Sequence, residues 1–229
     1  MCSMEKIRRQ GKGLLYVSML PEDYDPDRSY PLVVLLHGFG SNMHDLASLA
    51  PALDGKDFAY VCPNAPLSIP LGPNMKGFAW APLPGERTEE HLKAAEKLIA
   101  EFLDEASKEY KTPKGKILLG GFSQGGMMTF RVGLSAPDKL AGLFSLSGFI
   151  DNPDAVKASL PSQRDQPIFI AHGTEDTVIP VGGARKSAAF LREQGYNPEY
   201  HEYVMAHQVT PQVIDDLRVW MHRTLQPSG

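Results

Sequence analysis

Five short runs constrain this 229-residue chain most: "PLVVLLHG" (31–38), "FAYVCPNAP" (58–66), "KILLGG" (116–121), "GLFSLSG" (142–148) and "PIFIAHG" (167–173). Each is brief, rich in β-branched or aromatic residues, and mostly apolar on both faces. A strand of that kind needs cover on both sides, which is the environment of a parallel sheet between layers of helix. "GLLYVSML" (13–20) adds a strand nearer one edge, and the more alternating "PEYHEYVM" (198–205) one near the other.

Helical patterns fill the intervals. Thr88 can cap a helix whose apolar positions Leu92, Ala95, Ile99, Phe102, Leu103, Ala106 and Tyr110 recur at spacings of three and four. Further helices are expected over about 124–135, over about 183–194 with Gly195 ending it, and from Thr210-Pro211 onward with Val213, Leu217, Trp220 and Met221 on one face. Strand–helix alternation of this sort predicts a doubly wound α/β fold whose sites lie in loops beyond the carboxyl ends of the strands. No repeat, low-complexity tract or linker interrupts it. One domain is expected over 13–229, with a short N-terminal segment, 1–12, whose basic "KIRRQGK" (6–12) reads as a solvated start.

Against that background "GGFSQGG" (120–126) stands out, because glycines on both sides of a serine weaken a strand and a helix alike. "GFSQG" fits G-x-S-x-G, the strand-to-helix turn that presents a serine hydroxyl at the rim of a sheet. Its three fixed residues recur by chance in roughly one chain in a dozen of this length, so its context carries the weight. The motif follows a buried-strand pattern and opens a helix.

A serine hydroxyl needs a base to take its proton and a carboxylate to orient the base. On this fold their order is serine, acid, histidine. Asp176 lies in "TEDTVIP" beyond the "PIFIAHG" strand, and His207 in "AHQVTP" between the last strand and the last helix. Of the other histidines, His37 and His172 precede the acid and suit bracing of loop backbone. His201 falls within a strand, and His44, His91 and His222 on presumed surfaces. Glu175, Asp151 and Asp154 compete for the acid, with Asp176 favoured. The backbone N–H groups of Gln124, directly after the serine, and of Phe39, in "HGFGSN", are the expected donors to an oxyanion.

These motifs, "LLHGFGSN", "CPNAP", "GGFSQGGMM", "HGTEDTVIP" and "VMAHQVTP" in that order, resemble the phospholipase/carboxylesterase family of small α/β-hydrolases, which includes acyl-protein thioesterases and bacterial carboxylesterases. The likeness runs from about Leu14 to Leu225. It implies an α/β-hydrolase fold, a triad of Ser123, Asp176 and His207, and oxyanion donors at Phe39 and Gln124; a chain of this length leaves no room for a separate cap domain. The expected chemistry is hydrolysis of short- to medium-chain acyl esters through an acyl-enzyme, with thioesters or lysophospholipids as the alternative. Activity is expected to fall as acid protonates the imidazole.

The stretch "LSIPLGPNMKGFAWAPLPGER" (67–87) shows no helix or strand pattern and reads as a lid or binding loop. Leu71, Met75, Phe78 and Trp80 are its candidates for an acyl-pocket wall. The competing reading is that Phe78 and Trp80 tack the loop to the body.

The formal net charge of −4 argues against nucleic acid. No apolar run is long enough to span a bilayer, and the N-terminus lacks the apolar core of a secretory signal. The two cysteines, Cys2 and Cys62, form neither a disulfide framework nor a zinc pattern, which points to a reducing, cytoplasmic setting. No metal or cofactor is expected, and the oligomeric state stays open, a homodimer included.

Overall fold

Side chains alternate across a strand, and in β3 (Leu32–Leu36) both sets are apolar. Leu32, Val34 and Leu36 enter one core, while Val33 and Leu35 enter another on the opposite face. The same division holds in β7 (Ile117–Phe122) and β9 (Ile168–Gly173), where Leu119 and Ile170 face one core and Leu118 and Phe169 the other. A sheet buried on two sides is the result, as the apolar runs require.

The structure, a computed structural model, describes residues 4–225. Completing the sheet are β1 (Met4–Gln10), β2 (Leu15–Pro21), β4 (Ala59–Pro63), β8 (Gly142–Leu146) and β10 (Glu199–Tyr203). The eight strands run in the order β1-β2-β4-β3-β7-β8-β9-β10. Only β2 pairs antiparallel, with β1 and β4; the other pairs are parallel. On one face lie α2 (Glu89–Glu109), α3 (Gln124–Gly133), α4 (Pro153–Ser159) and α5 (Gly182–Glu193). The short α1 (Ala50–Asp54), preceded by a 3-10 turn at Leu46–Leu49, and α6 (Pro211–Leu225) cover the other.

Helix α2 shows how local signals set the boundaries. The Thr88 hydroxyl accepts from His91 N–H, and His91 Nδ1 accepts from Thr88 N–H. The six positions from Leu92 to Ala106 expected on its inner face are all buried. Gly195, at φ 91°, follows the end of α5.

Two segments differ from expectation. The basic start is an edge strand: β1 pairs with β2 along its full length, with Ile7 packed on the core and Lys6, Arg8 and Gln10 exposed or partly so. Charge on an edge strand blocks sheet-to-sheet association, and it hid the strand from an apolar count. Residues 67–87 also contain structure, an antiparallel hairpin of β5 (Leu67–Gly72) and β6 (Met75–Ala79). Its turn places Gly72 and Asn74 at positive φ. Pro70 and a register shift between Pro70 and Gly72 break the alternation a strand would show. Cys2 lies outside the described residues; Cys62 is a free, buried thiol in β4.

Candidate active site

β7 and α3 meet at Ser123, whose backbone sits at φ 55°, ψ −117°. A non-glycine residue held there costs about 1–3 kcal/mol and persists only where the surroundings impose it. Ser123 N–H donates to Leu146 O at 2.8 Å. The close crossing requires Gly125, where a Cβ would run into the Leu36 carbonyl of β3.

The loops after β9 and β10 are laced together beyond the ends of their strands. Thr174 N–H donates to Tyr203 O at 2.8 Å and Glu175 N–H to Met205 O at 3.1 Å. This lacing brings Asp176 to His207. Asp176 Oδ2 lies 2.6 Å from His207 Nδ1, and His207 Nε2 lies 3.0 Å from Ser123 Oγ. Both distances fall in hydrogen-bond range. The three side chains chosen from the sequence therefore meet.

Burial alone would raise the Asp176 carboxyl pKa. The hydrogen bond with His207 and the N–H groups of Ile179 and Val178, which donate to Oδ1 at 2.8 and 2.9 Å, outweigh it and hold the group below the ordinary carboxylate range. His172, fully buried, places Nε2 2.7 Å from Ile179 O and 3.3 Å from Asp176 Oδ2, so it braces the acid loop. The competing acids lie elsewhere in the network: Asp151 faces Arg131 and Arg87, Asp154 opens α4, and Glu175 is exposed.

The loop after β3 carries Phe39, whose N–H engages no backbone carbonyl among the described residues. Gln124 N–H is the first of the orphan donors that open α3. Both residues line the same cavity as Ser123 and His207. His37, at the root of the loop, donates from Nδ1 to Gly38 O and accepts Ala65 N–H at Nε2. Burial lowers its pKa despite that carbonyl contact and the charge of Asp45, which keeps the ring neutral in this role.

The hairpin is the loop's second support. Gly40 N–H donates to Phe78 O at 2.9 Å and Phe78 N–H to Ser41 O at 2.8 Å. Trp80 Nε1 donates to His37 O at 2.9 Å. The Gln124 side chain clamps the segment after β6, accepting Trp80 N–H at 2.8 Å and donating to Ala81 O at 2.7 Å. Trp80 is thus a buried brace beneath the loop and not a pocket wall. Phe78 pairs with Ser41, while Leu71 and Met75 stand exposed on the hairpin. None of these four residues lines the cavity.

That cavity, about 510 Å³, is walled by Leu83, which belongs to the same 67–87 stretch, and by Met127, Phe149, Val178, Ile179 and Pro180, with Arg87, the last residue of that stretch, as its cation. Met127 lies one turn beyond Ser123, and Val178-Ile179-Pro180 directly follow the acid loop, so proximity in sequence to the triad was the available signal. Among the described residues no group of three or more His, Cys, Asp or Glu side chains is gathered to hold a metal ion.

The sequence and the fold both find relatives. A family model described as Phospholipase/Carboxylesterase matches residues 25–225. Acyl-protein thioesterase 1 of Gibberella zeae is 29% identical over 217 residues, covering 86% of this chain and 92% of that protein. Among solved structures, esterase PE8 superposes with a TM-score of 0.80 at 28% identity, covering 91% of this chain and 97% of that one. The Bacillus cereus carboxylesterase shares the fold, with a TM-score of 0.75 at 24% identity over 93% of this chain and 96% of that one.

Proposed function

Because the chain belongs to the phospholipase/carboxylesterase family of α/β serine hydrolases, we propose that it is a carboxylesterase acting on short- to medium-chain acyl esters through an acyl-enzyme on Ser123. The observation that carries this reading is the line of hydrogen bonds from Ser123 Oγ through His207 to Asp176. Ser123 Oγ attacks the ester carbonyl while His207 Nε2 takes its proton. Asp176 stabilises the imidazolium and fixes its orientation. The carbonyl oxygen, now an anion, is met by the N–H groups of Phe39 and Gln124, each worth a factor of roughly 10²–10³ in rate. As the tetrahedral species collapses, the bond to the leaving oxygen breaks and His207 returns the proton to it. Water, deprotonated by His207, then attacks the acyl carbon and releases the acid.

The short- to medium-chain range is supported by the open site. Exposed Leu83 and Val178 stand at the cavity, and among the described residues no inserted domain closes over it. A thioesterase reading uses the same machinery and is favoured by the likeness to a fungal acyl-protein thioesterase. Initial rates on an oxygen ester, the matching thioester and a lysophospholipid separate the readings. Highest kcat/KM on the oxygen ester supports the first, and a preference of more than about tenfold for the thioester replaces it with the second.

A reducing, cytoplasmic setting belongs to the same proposal. It is supported by Cys62, a free thiol whose burial pushes its pKa up and leaves it unreactive. No helix among the described residues is long and apolar enough to cross a membrane.

A further inference from the structure

Among the described residues Arg87 is the one lysine or arginine lining the cavity beside Ser123, and its guanidinium is under-used. Among the described residues its only side-chain hydrogen bond is from Nη1 to the Met127 thioether at 3.3 Å, a weak acceptor. Its ion-pair partner Asp151 stays at 3.6 Å from Nη2, beyond hydrogen-bond range. Asp151 is committed elsewhere, with Arg131 Nη1 at 3.2 and 3.4 Å from its two oxygens. Arg131 is almost wholly buried and is also bound by Glu89 and Glu96, so that arrangement does not yield Asp151 to Arg87. Arginine carries five N–H donors in a planar fork, and here most of them lack an oxygen partner while the side chain is 18% exposed.

The direction of the bound ester follows from the triad. The leaving oxygen must reach His207 Nε2, so the alcohol part lies toward His207. There a second hollow opens between Leu46, Leu49, Phe122, Gln208 and Val209. That leaves the acyl part to the main cavity, which Met127, Phe149 and Arg87 line together.

Resting on the esterase reading above, we infer that the acyl pocket accepts chains ending in a carboxylate, the half-esters of dicarboxylic acids, with Arg87 as the residue that selects them. The apolar wall takes the methylene stem, and the guanidinium fork matches a carboxylate in two-point contact. That end carries no net positive charge, since Arg87 and Arg131 face Asp151, Glu89 and Glu96, so the contact is a two-point hydrogen bond to a monoanion and a phosphate dianion is disfavoured.

The test compares monomethyl esters of adipic, pimelic and suberic acids with methyl esters of equal chain length that lack the carboxylate. Acid release is followed in the wild type, Arg87→Gln and Arg87→Lys. At the best chain length the wild-type kcat/KM for the half-ester equals or exceeds that of its neutral match. Arg87→Gln lowers that ratio about 10–100-fold, the worth of a charge-assisted hydrogen bond, and Arg87→Lys restores part of it. A ratio that Arg87→Gln leaves unmoved, or a fall shared equally by both esters, overturns the assignment while leaving the esterase reading intact. Turnover of neither ester by the wild type overturns both.

Discussion

Replacing Gly77 with alanine inserts one methyl group between the hairpin and the loop that carries Phe39. The new Cβ would overlap the Gly40 carbonyl and sit 2.8 Å from Gly40 Cα, where ordinary contact begins at 3.4 Å. Both neighbours are backbone, so no rotamer change relieves the overlap, and β6 and the loop must part by about 1 Å. That separation breaks the pair of bonds between Phe78 and the loop, which now stand at 2.9 and 2.8 Å. An oxyanion donor acts only within about 2.7–3.1 Å of the developing charge, and a misplacement of about 1 Å costs about 10²-fold. Gly77→Ala is therefore expected to lower kcat about 10²-fold with KM changed by less than about threefold. Overpacking costs about 1–3 kcal/mol, which lowers the Tm of a chain this size by roughly 2–12 °C and leaves it folded at room temperature. Steady-state kinetics on nitrophenyl butyrate and a circular-dichroism melt read both quantities. A variant with lowered Tm whose kcat stays within about threefold of wild type would refute the reasoning, because the hairpin would then not be what holds the oxyanion loop.

Ser123→Ala is expected to remove ester turnover to within about 10³–10⁴-fold of the uncatalysed rate with an unchanged melt, read with the same substrate. Asp176→Asn, which permits the wrong imidazole tautomer, should lower kcat about 10⁴-fold. The depressed pKa of Asp176 fixes the sign of a pH effect. Its stabilising contribution is present above the unfolded-state value of about 3.9 and disappears as pH falls through the lower folded value. Urea unfolding at pH 7 and pH 3 should therefore show a smaller acid loss of stability in Asp176→Asn than in wild type. A larger loss in the variant contradicts this. Arg131→Met leaves Asp151 and Glu96 without their shared cation and is expected to cost about 3–5 kcal/mol, or roughly 6–20 °C in Tm, by calorimetry. A Tm within about 2 °C of wild type would mean that water replaces the guanidinium.

The sheet was legible because parallel strands declare themselves by apolar runs, and the meeting of Ser123, Asp176 and His207 because each lies just beyond the carboxyl end of a strand. β1 was not, since an edge strand needs only Ile7 and Met4 against the body and can be charged elsewhere. The hairpin was hidden by Pro70, although "LGPN" is a turn signal. Trp80 marks the limit of composition as a guide. A tryptophan in a long loop suits a pocket wall and a buried brace equally, and only the partner of its Nε1, the His37 carbonyl, decides between them. The cavity beside Ser123 is lined by Leu83 and by Met127, Phe149 and Val178-Ile179-Pro180, which follow the neighbouring strands β7, β8 and β9 and come together through strand order and not through sequence proximity to one another.

Exposure to a fluorophosphonate, followed by peptide mass mapping, tests most directly whether Ser123 is the nucleophile. The expected result is a single adduct on Ser123 that abolishes ester turnover and fails to form at a comparable rate in His207→Ala. Modification of a different residue with loss of activity, or full turnover by a protein labelled at Ser123, would contradict it.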